Sequence, residues 1–209
     1  MGFGWLLVGY FFANVMSLYS PLSFAMLAGY PLMIFGLFHL AHYHTRFQLC
    51  FYVSFVSLPF AVYFALYGFA QLGLGDTLTF LTGSFLQTVE WCYFVFAFLF
   101  HALLLYAVAG LTGELELVGL QGNAYRNLIF VALYYLIDMI TRLPISFIQT
   151  NKGYLAMPLI LLKLVFVLLN MILLFKCHRY ICPEGDQDMP EPAKRHKQKA
   201  KKEEGNDEA

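Results

Sequence analysis

Four ionisable residues stand inside long apolar stretches of the chain, where charged side chains are energetically expensive. They are Glu90 in one stretch, Asp138 and Arg142 in the next, and Lys163 in the last. A formal charge at hydrocarbon depth costs about 2.5 to 3.5 kcal/mol on insertion scales, so such residues tend to pair with one another, bind a ligand or conduct an ion. These four residues are therefore the first candidates for a site.

Each of these three stretches, taken as a helix, carries one polar stripe at about 100° per residue. The stripes are Gln87, Glu90 and His101; Asp138, Arg142, Ser146 and Gln149; and Lys163 with Asn170. Polar stripes turn away from lipid, because no lipid group can satisfy them there. The predicted substrate-binding residues are Glu90, His101, Asp138, Arg142, Lys163 and Asn170.

Counting along the helices at 1.5 Å per residue brings charged groups from all three to one level, about 9 Å from one membrane boundary. These groups are Glu90, Arg142 and Lys163, and Asp138 lies one turn deeper on the Arg142 face. The two acids and two bases together make a neutral cluster. Three interpretations are open. The cluster is a salt-bridged network that fixes helix register, or a site where Arg142 and Lys163 hold an anionic or zwitterionic solute, or a proton or ion relay through Asp138 and Glu90.

Other motifs point less clearly to chemistry. His39, His42 and His44 have a spacing that can bind zinc, copper or iron, but they stand alone, and interfacial histidines are the favoured interpretation. Ser84 and His101 lie about 17 residues apart on one predicted helix, more than about 20 Å, which is too far for a catalytic dyad. We therefore expect no metal, no cofactor, no catalytic residue and no nucleic-acid partner, and an enzyme is the third-ranked class.

The composition explains why these residues must lie in a membrane. The chain of 209 residues is 60% hydrophobic and only 12% charged, whereas soluble domains carry about 25% charged residues. Spanning about 30 Å of hydrocarbon takes about 20 apolar residues in a helix. The sequence offers such stretches at 3–19, 22–43, 48–72, 84–110, 126–148 and 157–177. It therefore predicts an all-α, polytopic bundle of six transmembrane helices, with a break from Thr112 to Asn123 and kinks at Pro31, Pro59 and Pro144.

Charge distribution sets the predicted orientation and the domain boundaries. With six spans, one side collects Arg46, Arg126, Lys176 and Arg179, while the other collects Lys152. The positive-inside rule then places both termini in the cytoplasm. Residues 1–177 are predicted to form the transmembrane domain, and residues 178–209 a disordered, charged tail that is either a solvated topology anchor or held near anionic lipid.

Small residues recur at helical spacing and favour close packing of helices. Gly9, Ala13 and Ser17 do so in the first stretch, and Ala61 and Ala65 in the third. The partner of these faces is either another helix of the chain or a second membrane protein. Internal packing is the favoured interpretation.

The six spans, about 200 residues, cytoplasmic ends and outward polar pocket together resemble the substrate-binding subunits of energy-coupling-factor transporters. The resemblance covers architecture and no residue motif. It implies binding of a small solute, and docking through the first helix, a face loosely echoed by Gly9, Ala13 and Ser17. The leading hypothesis is a multipass protein of the cell membrane, of bacterial plasma-membrane type, that binds or transports a small polar or anionic solute through its last three helices. The alternative is a non-catalytic scaffold or assembly factor that docks a partner through small-residue faces or the basic tail.

Overall fold

A computed structural model describes residues 2–18, 22–72, 83–143, 146, 150 and 152–181, and all regular structure in these residues is helical. The α-helices are α1 (Gly2–Asn14), α2 (Ala25–Ala41), α3 (Thr45–Ser54), α4 (Ser57–Gln71), α5 (Ser84–Glu114), α6 (Val118–Arg142) and α7 (Lys152–Ile181). A short 3₁₀ helix, Met16–Leu18, follows α1. The predicted all-α fold class is confirmed.

The helices α3 and α4 form one nearly continuous rod, so the described chain contains six rods where the sequence predicts six. Phe55 and Val56 join them and keep right-handed helical backbone angles. The join uses tighter bonds of the i to i−3 type, such as Leu58 N–H to Phe55 O at 3.1 Å. Pro59 has no N–H to give to Phe55, which explains the irregularity at this point. Pro31, by contrast, lies within an unbroken α2, and Pro144 lies outside the described residues.

Three of the rods are long and apolar enough to cross a membrane: Thr45–Gln71, Phe85–Glu114 and Gly153–Ile181, with 27, 30 and 29 residues. Gly2–Leu18 and Ala25–Ala41 are apolar but shorter. The remaining rod, α6, has 25 residues and carries Arg126, Asp138 and Arg142, which make it more polar. The structure therefore supports a membrane-associated helical protein with three clear candidate spans.

Two predicted boundaries are corrected by the structure. The break expected from Thr112 to Asn123 shrinks to a turn at Leu115–Leu117, because α5 continues to Glu114 and α6 begins at Val118. Glu116 adopts a left-handed backbone with φ of 58°, and the Leu117 N–H bonds back to the Thr112 carbonyl at 2.9 Å, which closes the turn. The last helix also runs to Ile181, so residues 178–181 belong to the helix. The predicted tail beyond them lies outside the described residues.

Close packing of α1 on α2 depends on glycine. A Cβ at Gly29 would lie 2.6 Å from the Ala13 amide nitrogen, and a Cβ at Gly36 would lie 2.6 Å from the Leu6 amide nitrogen. Gly9 would meet the Gly29 carbonyl oxygen at 2.6 Å. At these distances only glycine fits, so backbone packs against backbone. We call this contact the α1–α2 seam, defined by Gly9, Ala13, Gly29 and Gly36.

The small-residue faces singled out in the sequence are therefore covered inside the bundle. Gly9 and Ala13 are buried in the α1–α2 seam, and Ala61 and Ala65 of α4 are buried as well. The favoured interpretation, internal packing, is confirmed for these four residues. The docking face that the transporter resemblance implies on the first helix is occupied by α2, and a partner could not reach it without displacing that helix.

The outward surface is rich in large apolar side chains. Trp5, Phe35, Leu99, Ile129 and Phe175 are all exposed, whereas a soluble monomer rarely shows extended apolar patches. Such a surface matches lipid chains and agrees with the apolar candidate spans.

Candidate functional site

A cavity of about 290 Å³ opens at one end of the bundle. This end collects the carboxyl-terminal ends of α1, α4 and α6 and the amino-terminal halves of α2, α5 and α7. The lining residues are Asn14, Ser17, Leu18, Ser23, Met26, Phe64, Tyr67, Glu90, Tyr93, Phe94, Ala97, Tyr134, Tyr135, Asp138, Arg142 and Lys163. Four of the six predicted site residues, Glu90, Asp138, Arg142 and Lys163, thus line one cavity.

Asp138 and Arg142 form the one ion pair found at the cavity within the described chain. Arg142 Nη2 donates to Asp138 Oδ2 at 3.1 Å, and Arg142 Nε donates to the same oxygen at 3.3 Å. The two residues are one helical turn apart on α6, so local geometry alone brings them together. Thr141 Oγ1 lies 3.5 Å from Asp138 Oδ1 and bonds mainly to the Asp138 backbone carbonyl, at 2.7 Å.

The Arg142 guanidinium also rests on aromatic rings of the neighbouring helix. Its Cζ atom lies 4.9 Å from the centre of the Phe94 ring and 5.6 Å from that of Trp91. A cation within about 6 Å of a ring face is attracted by the ring quadrupole. Arg142 is therefore held from two sides, by the carboxylate on α6 and the rings on α5, and its charge is largely satisfied within the protein.

Lys163 and Glu90 differ from that pair. Among the described residues, neither has an oppositely charged group within 4.0 Å. Lys163 is half-buried on α7, while Glu90 is exposed on α5. Of the three interpretations that the sequence leaves open, a salt-bridged network requires the four charges to pair with one another. The structure pairs Asp138 with Arg142 and leaves one cation and one anion on different helices of the same cavity.

Aromatic hydroxyls and rings form much of the remaining wall, and the sequence analysis missed them. Tyr93 and Tyr30 hydroxyl oxygens lie 2.9 Å apart, joining α5 to α2. Tyr67 at the end of α4 accepts a hydrogen bond from Gln71 Nε2 at 3.0 Å, and Asn14 enters from α1. Tyrosine is frequent throughout this chain, with 14 copies, so no spacing in the sequence distinguishes these lining residues from tyrosines facing lipid.

His101 and Asn170, the other two predicted site residues, are not among the residues that line the cavity. Both are buried, at 4% and 1% exposure, and they meet around Tyr10 of α1. Asn170 Nδ2 donates to the Tyr10 hydroxyl at 3.0 Å, and the Tyr10 and His101 rings are 5.5 Å apart edge to face. His101 Nδ1 lies 2.6 Å from the Ala97 carbonyl oxygen and donates to it. This group ties α1, α5 and α7 together below the cavity.

Two acceptors of this deeper group are left without a donor in the described structure, namely His101 Nε2 and Asn170 Oδ1. Since His101 Nδ1 carries the proton that reaches Ala97, Nε2 is an acceptor in the neutral ring. Ala97 lines the cavity and lies one turn before His101, which places the group just beneath the cavity floor.

At the opposite end of the bundle, several polar side chains have nearby partners within the chain. His44 Nε2 lies 3.1 Å from Glu114 Oε1, and His44 Nδ1 accepts from the Arg46 backbone N–H at 3.0 Å, capping α3. The Arg46 guanidinium lies 4.3 Å above the Tyr106 ring. His39 and His42 each bond to a carbonyl one turn earlier on their own helix, both at 2.9 Å.

No metal-binding set is found in the part of the chain that the structure describes, since no three of its His, Cys, Asp or Glu side chains come together. Comparison with protein-family models, with curated proteins and with solved structures finds no match to this chain. The cavity is therefore the feature of the described chain that bears on function.

Proposed function

We propose that this chain crosses the cell membrane six times, with both termini in the cytoplasm, and binds or transports a small polar or anionic solute in the cavity between α5, α6 and α7. The observation that carries the proposal is the position of Lys163, a half-buried cation that lines a cavity of about 290 Å³ with no carboxylate within 4.0 Å in the described structure. A cation that is partly withdrawn from water and has no carboxylate in contact with it is suited to a charged ligand.

The size and position of the cavity also support this proposal. Ligand pockets have volumes of about 300 to 1,000 Å³, so this cavity suits a small molecule rather than a lipid or a peptide. Its mouth lies at the end opposite Arg46, Lys176 and Arg179. If these residues mark the cytoplasmic face, as the positive-inside rule predicts, the cavity faces outward.

The rival interpretation of the charges, a network that only fixes helix register, accounts for Asp138 and Arg142 but not for Lys163 and Glu90. A register-fixing network requires groups that touch, and these two have no ionic partner within 4.0 Å among the described residues. The second rival is a scaffold that docks a partner through its small-residue faces. Gly9, Ala13, Ala61 and Ala65 of those faces are buried inside the bundle, which disfavours docking through them. Docking through the basic tail concerns residues outside the described structure and remains a prediction.

A thermal-shift screen of the purified full chain tests the proposal. Vitamins, amino acids and small anions are added in turn, and a ligand present at 100 times its Kd should raise stability by about 2.7 kcal/mol. Stabilisation by one chemical class supports a solute-binding protein. Absence of any ligand-dependent shift across the three classes would overturn it.

Variants separate binding from structure. Lys163→Ala should fold and lose the ligand-induced shift, while Lys176→Ala, at the opposite end of the same helix, should keep both. If Lys163→Ala instead abolished accumulation of folded protein, with the ligand affinity of the remaining fraction unchanged, the register-fixing interpretation would replace ours.

The topology has its own experiment. Single cysteines placed at exposed Thr150 and exposed Arg179, in a background without the native cysteines, are labelled from outside with a membrane-impermeant maleimide. Labelling at position 150 and protection at position 179 are expected. The reverse pattern would invert the proposed orientation, and labelling at both would contradict an uninterrupted last span.

A further inference from the structure

The cavity carries a more specific signature than a general affinity for polar solutes. Its four charged residues comprise two acids and two bases, and the Asp138 carboxylate is occupied by Arg142 through two bonds to one oxygen, at 3.1 and 3.3 Å. The cation of that pair is further engaged by the Phe94 ring at 4.9 Å. Besides this ion pair, the described cavity presents one ammonium group, Lys163, and one carboxylate, Glu90, neither of which has an ionic partner within 4.0 Å.

These two groups differ in exposure. Lys163 is half-buried on α7, while Glu90 is exposed near the start of α5. Both line the same cavity, and they form no ion pair with each other. The cavity thus carries one positive and one negative group on two different helices.

Charge balance decides which ligand suits such a cavity. A simple anion would pair with Lys163 but would add negative charge to a cavity that already contains Glu90. A simple cation would pair with Glu90 but would add positive charge to a cavity that already contains Lys163. Like charges near one another repel, so either ligand is disfavoured by one of the two groups. A zwitterion pairs with both groups at once and leaves the cavity neutral.

We infer that the ligand is a small zwitterion carrying a carboxylate and an ammonium group, bound with its carboxylate on Lys163 and its ammonium group on Glu90. This inference rests on the proposed solute-binding function and names the ligand class. Arg142 acts as a positioning residue: it fixes the Asp138 carboxylate and the α5 wall, and does not pair with the ligand directly.

Three matched ligand series test the inference on the unaltered full chain in detergent or nanodiscs. The first contains glycine, β-alanine and γ-aminobutyrate, in which the distance between the two charges increases. The second contains acetate, propionate and butyrate, which lack the ammonium group, and the third contains methylamine, ethylamine and propylamine, which lack the carboxylate. At least one zwitterion should bind about tenfold or more tightly than its single-charge analogues, since a hydrogen bond to a charged group contributes at least that factor.

Two variants then assign the ends of the ligand. Glu90→Gln should bring the affinities of the zwitterion and of the matching carboxylate together, because the ammonium group loses its partner. Lys163→Met should bring the zwitterion and the matching amine together. Lys176→Met, an exposed cation at the other end of the bundle, should leave all three series unchanged.

The possible failures are distinguishable. If carboxylates without an ammonium group bind as tightly as the zwitterions, and Glu90→Gln changes neither, the zwitterion inference fails while solute binding stands. Preference for amines alone would also overturn the inference. If no compound of the three series or of the wider screen shifts the melting temperature, the proposed function fails as well.

Discussion

The α1–α2 seam and the charged cavity lie in the same bundle and are built on opposite principles. In the seam, glycines bring backbones so close that a single added carbon would lie 2.6 Å from a backbone nitrogen. In the cavity, side chains from six rods stand apart and leave about 290 Å³ open. The seam depends on steric fit between backbones, whereas the cavity brings charged side chains together around open space. Substitutions in the two regions should therefore differ in their effects on stability and on binding.

The largest expected effect concerns the seam. Gly29→Leu should destabilise the protein by about 3 kcal/mol or more, because the new side chain must displace the α1 backbone at Ala13 and overpacked cores respond in this range. The melting temperature in detergent measures the effect. Gly122→Leu is the matched control, since nothing lies within 4 Å of the Cβ position at Gly122 and a helical glycine gains propensity on substitution. Equal loss of stability in both variants would contradict the seam.

The next effect separates the paired charges of the cavity from the unpaired ones. Asp138→Asn leaves the Arg142 cation without its carboxylate, with side-chain exposures in the native pair of 14% for Asp138 and 31% for Arg142. We expect a loss of about 1 to 2 kcal/mol, less than for a fully buried pair because water reaches both groups. The double variant Asp138→Asn, Arg142→Gln should recover part of that loss in a double-mutant cycle. Additive effects would show that the two side chains do not interact.

A smaller effect concerns the group that joins the seam helix to the floor of the cavity. Tyr10→Phe removes the acceptor of the Asn170 amide and should cost about 0.6 kcal/mol, the average for hydrogen bonds between membrane helices. Tyr106→Phe, which keeps its ring beneath Arg46, serves as the control and should be neutral in thermal unfolding. A neutral Tyr10→Phe would mean that the three-helix contact depends on ring packing alone.

The smallest effect on stability is expected at Lys163. Lys163→Met removes a cation that has no described ionic partner. The free energy of unfolding of the ligand-free protein should stay within about 0.5 kcal/mol of the original, or rise slightly above it, as measured by thermal unfolding. If this variant keeps its stability and loses ligand binding, Lys163 contributes to binding and not to folding, in contrast to the Asp138–Arg142 pair. A loss as large as that of Asp138→Asn would place Lys163 in the same structural network and weaken the contrast between the two regions.

Much of the architecture was predictable because the rules that govern it are local. The apolar stretch at 84–110 predicts α5, and the structure extends that helix by only four residues, to Glu114. The contact of Asp138 with Arg142 was predictable as well, since residues four apart on a helix share a face. The long break predicted between α5 and α6 is wrong because Thr112 bonds to the carbonyls of Val108 and Ala109, which keeps a polar residue in the helix.

The site was only partly predictable. The polar stripes at 100° per residue group His101 with Glu90 and Asn170 with Lys163. In the structure, Glu90 and Lys163 line the cavity and His101 and Asn170 do not. Residues on one helical face can lie at different depths and meet different neighbours. Asn14 and Tyr67 enter the cavity from α1 and α4, two helices outside the predicted site, and Tyr93 lies on α5 but was not among the residues predicted there. Their contribution depends on which helices are adjacent, and hydropathy carries no information on adjacency.

The sequence by itself determined that the chain is helical, apolar on its outer faces, and marked by four charges in three successive helices. These properties follow from residue type and from the fixed rise and rotation of a helix. Only the tertiary structure decided that Gly9 and Gly29 face each other, that Arg142 contacts residues of both α5 and α6, and that Lys163 and Glu90 line one cavity without forming an ion pair among the described residues. Packing between helices sets these distances, and it arises from the fit of whole surfaces rather than from any local pattern.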